Sequence, residues 1–334
     1  MSILTAELKW YKPALLSDTT PAANGGRMTL TEIVSAVKNN LLPDVSQAQR
    51  AAGVTHWRKA FIGVRNAASL TLIDPKVSIE SGTPGDSYCL LYPGTQTDTQ
   101  DAVTARPYGY GELASNAAQN ATSLTVTAEH AAYAAMTPKA FQEGDLIRID
   151  ARTTVLDTGA SEYGTIDSVS FDGATMTIGL VAGLSQGFSA GAKIAAVWTP
   201  DDVAAAYSGA SVTGTVTYTA AGNITLNNLG TVYQTWTVTV TDHTTGALRV
   251  NGDTLGLVGT GAQGVALAPT NTATGQPYFS LAPGGWGGTA GTGDTFVFTT
   301  APAAIPIWIK RIVPAGSGAI ASDPVALCIE GESA

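Results

Sequence analysis

The chain has little of what catalysis draws on. Among its 334 residues only 3 are His and 2 are Cys, and charged residues make up 13%. Few side chains are available to move protons, attack a substrate or ligate a metal. No apolar run approaches the roughly 18–20 residues that cross a bilayer as a helix. No basic stripe exists, and the net charge of −9 with a pI near 4.7 argues against binding nucleic acid by phosphate neutralisation. The opening MSILTAELKWYKP places Glu7, Lys9 and Lys12 where a signal peptide needs an unbroken apolar core, so a cytoplasmic origin is expected. In that reducing setting Cys89 and Cys328, each in an apolar run, read as buried free thiols.

What is there is glycine, 37 of them, and 44% hydrophobic residues. The hydrophobics form short Thr/Val/Ile/Leu runs broken by Gly, Pro, Asn and Asp. That pattern predicts a mainly β protein with many strands. It also leaves a surface of hydroxyls and small residues. Such a surface suits a subunit covered in an assembly better than a free-standing monomer.

Residues 1–27 read as an extended arm, with Trp10 and Tyr11 ahead of Pro13 and a turn-rich SDTTPAANGGR behind. Trp10 is either an anchor onto another chain or a residue packed on its own domain. The spacing then predicts a helix over 29–42. Thr29 and Glu32 form a capping box, Leu30, Ile33, Val34, Val37 and Leu41 share one face, and Pro43 stops it. A short helix over 45–52, capped by Asp44 and ended by Gly53, follows.

From Trp57 the period changes to 2. WRKAFIGVRN, SLTLIDPKVSIE and SYCLLYPG read as strands, too few for a closed sandwich. Two more lie at the end. In IPIWIKRIVP, Ile305, Ile307 and Ile309 share a face; in PVALCIEGE, Val325, Leu327 and Ile329 do. The expectation is a discontinuous domain, 28–105 plus 302–334, carrying the rest as an insertion. Residues 106–200 read as a small β-barrel with a hairpin turn at Asp172-Gly173. Residues 201–301 read as a Gly-rich β domain in which Trp236, Val238 and Val240 alternate with threonines. Its long loop 256–293 carries Trp286 within GGWGG, as a binding loop or an interface plug.

The chemistry motifs are weak. Gly259-Thr260-Gly261-Ala262-Gln263-Gly264 matches the dinucleotide fingerprint in letters, but VALAPTNTATGQP cannot supply the helix the pyrophosphate needs. His56, His130 and His243 are dispersed, with no partner at zinc-ligand spacing. Asp98…Asp101 and Asp201-Asp202 lack the calcium-loop pattern. Asp172 and Asp253 sit in Gly-flanked turns. Asp145 and Glu162 are candidates to face each other across the barrel, as a glycosidase pair would, but the region has few aromatic sugar platforms. Asn120 and Asn223 open glycosylation sequons that mean nothing without secretion. The residues therefore predict no catalytic, cofactor or metal site and no small-molecule substrate.

A resemblance adds to this reading. LKWYKPALLSDTTPAANGGRMTLTEIVSAVKNNLLPDVSQAQRAAGVTHWRKAFIGVRN is similar to the start of a family of tailed-bacteriophage virion structural proteins. GDLIRIDARTTV…ASEYGTIDSVSFDGATMTIGL resembles the small β-barrels of tail and baseplate proteins. PIWIKRIVPAGSGAIASDPVALCIEGES looks like the closing strands of their immunoglobulin-like domain. The resemblance implies a discontinuous immunoglobulin-like β-sandwich with an N-terminal helix, an inserted barrel and a second Gly-rich β domain. It implies a virion component assembled in the host bacterial cytoplasm, in contact with copies of itself and with other virion proteins, without nucleic acid or membrane. A tail or baseplate ring is the expected place, with head decoration or neck as the alternative. Trp10, Tyr11 and Trp286 are the expected interface residues. A host-carbohydrate-binding adhesin is the reading from another class, with Trp236, Trp286 and Tyr278 as its candidate groove.

Overall fold

The computed structural model describes residues 2–152 and 159–333, and it is mainly β. Its first unit is a two-layer, sandwich-like packing. One layer is a five-stranded antiparallel sheet in the order Gly25–Glu32, Leu8–Leu15, Val54–Val64, Ala304–Val313, Tyr88–Pro93. Three of these strands, Val54–Val64, Ala304–Val313 and Tyr88–Pro93, are period-2 runs predicted from the sequence; the other two fall where an arm and a helix were expected. Ile305 pairs with Ile62, Ile307 with Ala60 and Ile309 with Arg58. The strand Ala304–Val313 thus comes from the far end of the chain and lies between two strands of the first hundred residues. The second layer is the pair Leu72–Ser81 and Ala326–Ser333. Ala60, Ile62, Val64, Ile305, Ile307 and Ile309 from the first layer meet Val77, Ile79, Leu327 and Ile329 from the second. Each fully buried Val or Ile here is worth about 1.5–3 kcal/mol.

The opposite face of the large sheet buries a charge. Lys59 is fully buried, with Nζ 2.6 Å from Asp98 Oδ1 and 2.7 Å from the Gly26 carbonyl. Trp308 Nε1 donates to the other Asp98 oxygen at 2.8 Å. With Lys59, Trp308 and the Thr95 NH all donating to its carboxylate, Asp98 fixes the loop after Tyr88–Pro93 onto the sheet.

The second unit is a closed six-stranded barrel, ordered Thr175–Leu180, Ser123–Ala128, Tyr110–Leu113, Lys193–Val197, Leu146–Asp150, Ser161–Asp172. The turn Asp172-Gly173 joins two of these strands, and Gly173 takes φ 60° there, as the turn requires. Five of the strands coincide with short apolar or alternating runs of the sequence. The closing strand, Tyr110–Leu113, is only four residues long and carries no clear alternation.

Two polar clusters tie the barrel to the first unit. Arg148, 3% exposed, pairs with Asp150 at 2.6 Å, with Glu330 at 3.1 Å and with Glu80. Glu129 accepts from the backbone NH of Thr83 at 2.9 Å and of Cys89 at 3.3 Å, and from the Tyr133 hydroxyl at 3.1 Å. Burial pushes the Glu129 carboxyl up to about 7 against these hydrogen bonds.

The third unit is a five-stranded antiparallel sheet ordered Ala206–Thr213, Thr295–Ala301, Gln234–Asp242, Ala247–Gly252, Gly256–Ala262, with three two-stranded ribbons. Trp236, Val238 and Val240 point into its core beside Phe279, Phe296 and Phe298.

The helix expected over 29–42 does not form. Gly25–Glu32 is a strand, paired with Leu8–Leu15. The capping-box groups serve the sheet instead: Thr29 Oγ1 donates to the Lys12 carbonyl at 2.8 Å, and Glu32 takes Lys9 Nζ at 3.1 Å. Ala36 and Asn39 have φ of 62° and 60°, which no helix accommodates. An available strand partner and β-branched Thr29, Thr31, Ile33 and Val34 outweigh the helical spacing. The α-helix is Gln47–Ala52, capped by Ser46 rather than Asp44 and followed by Gly53. Residues 8–15 likewise are no free arm, because they pair with Val54–Val64 from Leu8↔Val64 to Tyr11↔Phe61.

Candidate interaction surfaces

The aromatic residues expected at an interface are placed by the pleat. Successive residues of a strand point to opposite faces. Trp10 therefore sits on the inner face of the sheet, partly exposed against the sandwich core. Tyr11 is 7% exposed on the outer face with Phe61 and Ala304. Trp286 is partly buried in the third unit, edge-on to Tyr218 at 4.7 Å between ring centroids. The three are not brought together. Trp236 and Tyr278 do not form a sugar platform: Trp236 is fully buried, with Tyr278 packed on it at 5.1 Å.

The dispersed polar candidates have structural employment. Asp145 hydrogen-bonds the NH of Gln142 at 2.8 Å and pairs with Arg106, while Glu162 takes the NH and hydroxyl of Ser185 at 3.0 and 2.6 Å. Asp145 lies opposite Ile166 and Glu162 opposite Ile149. Four ladder positions, about 13 Å, separate them, more than the roughly 5–9.5 Å of a glycosidase pair. Asp253 pairs with Arg27, and Asp202 accepts from the Asp74 NH at 3.0 Å. His130 stacks on Tyr88, and His243 contacts Thr292 at 3.0 Å. The glycine run 259–264 begins inside the strand Gly256–Ala262, not at a helix. Among the described residues no group of three or more His, Cys, Asp or Glu is placed to hold a metal. Cys89 and Cys328 are both free thiols.

Two surfaces stand out instead. The first is a cleft of about 860 Å³ at the open end of the sandwich. One wall is the irregular segment 33–45, and the other is 317–327. Val34, Val37 and Ile320 line it while 53%, 55% and 48% exposed. Arg311 lies at its base, 5% exposed, because the inward alternation Ile305, Ile307, Ile309 continues into a cation. Arg311 Nη2 donates to the Pro43 carbonyl at 2.6 Å and to His56 Nδ1 at 3.0 Å, and its Nε has no hydrogen-bond partner. Burial and the neighbouring Arg311 charge hold His56 below the usual histidine range. His56 thus meets Arg311 as a neutral acceptor.

The second surface is the third unit's sheet. The sequence contains no Asp, Glu, Lys, Arg or His from Val203 to Thr241, and none from Thr254 to Gly293. Both edge strands, Ala206–Thr213 and Gly256–Ala262, fall in these stretches. In Ala206–Thr213 all residues but Tyr207 are exposed, so the strand meets solvent on both faces. A bulge between Ser208 and Ser211 interrupts it, but no charge or proline guards it. Leu255, Leu257 and Val265 stand exposed at the other edge. Uncharged open edges are ready templates for pairing with another chain.

Sequence reasoning named the low-charge surface but missed the cleft. Its readable signal was Arg311, which breaks an otherwise apolar inward alternation. No protein-family model, curated protein or solved structure matches the chain.

Proposed function

We propose that the chain is a non-enzymatic structural subunit of a tailed-bacteriophage virion, a tail or baseplate ring component that contacts copies of itself and other virion proteins. The observation that carries this reading is the third sheet, with two uncharged edges and one edge strand exposed on both faces. Left bare, such edges invite open-ended aggregation; paired between symmetric copies, they close a ring. The sequence resemblance supplies the particle, and in this reading the two-layer unit is that family's immunoglobulin-like domain.

The test is complementation. Phage lacking the gene is supplied with the wild type or with Val212→Lys/Leu257→Lys, which charges both edges at exposed positions. The variant should melt as the wild type does, since exposed substitutions usually change stability by less than about 0.5 kcal/mol. It should fail to restore complete particles by electron microscopy. Full restoration by the charged variant contradicts assembly through these edges.

A further inference from the structure

The second layer of the sandwich ends in an open strand edge. It holds two strands over a five-stranded sheet, and among the described residues Ala326–Ser333 has a ladder partner on one side only, Leu72–Ser81. Ala326 and Leu327, at the start of Ala326–Ser333, line the cleft together with Pro324 and Val325. Its far wall, 33–45, has no regular structure and holds two non-glycine residues, Ala36 and Asn39, in the left-handed region. The volume is within the range of about 300–1,000 Å³ common for ligand sites.

The charges at the cleft are unequal in their employment. The lining carboxylates each have a partner, although Glu80 keeps its Oε1 without a hydrogen bond. Asp44 accepts from Asn39 Nδ2 at 2.8 Å, Asp86 from the Gly318 NH at 2.7 Å, Asp323 from the Gly85 NH at 2.8 Å, and Glu80 pairs with Arg148. The two lining arginines take part in no ion pair among the described residues and donate to neutral acceptors: Arg50 Nη1 to the Val45 carbonyl at 3.0 Å, and Arg311 to Pro43 and His56. A buried guanidinium without a carboxylate is costly alone and strong with an anionic partner. The cleft therefore combines a free strand edge, exposed valine and isoleucine walls, and an unpaired buried cation.

We propose that this cleft docks an extended segment of another polypeptide, which adds to the free edge of Ala326–Ser333 as a further strand, seats alternate apolar side chains between Val37 and Ile320, and brings a carboxylate to Arg311. Main-chain hydrogen bonds to the edge supply affinity, and the side-chain pockets supply specificity. The proposal goes beyond the virion reading and stands without it, since the third unit's edges play no part.

The test uses the full chain as bait for a displayed library of random ten-residue peptides. Recovered binders should alternate apolar residues and carry Asp or Glu. Hydrogen exchange should show new protection at the amides of residues 326–329 on binding. Replacing the peptide's carboxylate by its amide should weaken binding at least tenfold, a change that leaves the protein's folding untouched. On the protein side, Val37→Glu, at an exposed position, should abolish capture while leaving the melting curve unchanged. Recovery of no binders, or of helix-forming peptides that leave 326–329 unprotected, overturns the proposal. Self-association of the chain that Val37→Glu abolishes without any peptide gives the cleft to a second copy and overturns a separate partner.

Discussion

Arg311 Nη2 lies 3.0 Å from Nδ1 of His56, and because a guanidinium only donates, the imidazole accepts. His56 is thereby fixed as the neutral tautomer with its proton on Nε2. Protonating it would place two buried cations in contact.

The first prediction follows from that contact. The folded-state pKa of His56 lies below its unfolded value, so its contribution to stability is full above about pH 6.5 and is lost as pH falls through the folded value. Nitrogen-15 chemical shifts should report the Nε2–H tautomer at pH 7 and a depressed titration. His56→Gln keeps an acceptor for Arg311 and should reduce the acid sensitivity. An ordinary histidine titration with the Nδ1–H tautomer contradicts the geometry.

Glu129 has the opposite sign. Its pKa is raised from 4.5 to about 7, so its favourable contribution is present below pH 4.5 and is lost as pH rises to about 7. The loss amounts to about 3–4 kcal/mol. Glu129→Gln should flatten the difference in unfolding free energy between pH 4.5 and pH 7.5 relative to the wild type. Identical pH profiles for the two proteins contradict a buried carboxylate at the junction.

Removing Asp98 strands Lys59 and leaves Trp308 Nε1 without its acceptor. Asp98→Ala should cost about 3–5 kcal/mol, the usual result of breaking one half of a buried pair. Chemical denaturation measures it. A cost under 1 kcal/mol would mean that water reaches Lys59.

A chain ended at residue 300 loses the strand that joins Val54–Val64 to Tyr88–Pro93. Ile305, Ile307, Trp308 and Ile309 are all nearly fully buried. At about 1.5–3 kcal/mol each, their loss rivals the roughly 5–15 kcal/mol stability of a typical domain. The shortened chain should lack a cooperative transition in the first unit, monitored by fluorescence of Trp57. A sharp melt at that probe contradicts the sheet order.

The strands were legible where alternation was strong and a turn stood nearby. Trp236, Val238 and Val240 against threonines, or the Asp172-Gly173 hairpin, need no distant partner to be recognised. The segment 25–45 was not legible, because Leu30, Ile33, Val34, Val37 and Leu41 satisfy helical spacing equally well. Only the pairing with Leu8–Leu15, itself short and interrupted by Pro13, decides between the two. The cleft was hidden for a related reason. It is made by segments near 40, 311 and 320 that no local pattern connects, and its chemistry lies in a charge left unpaired after folding. Arg311 alone hinted at it.

In the proposed function the chain is a built-in part of a phage particle. Quantitative mass spectrometry of gradient-purified virions from the phage carrying the gene tests it most directly. The account predicts this protein in every preparation at a fixed copy number that matches a ring symmetry, resistant to high-salt washing. Its absence from purified particles, or a trace amount that washes away, would contradict the account.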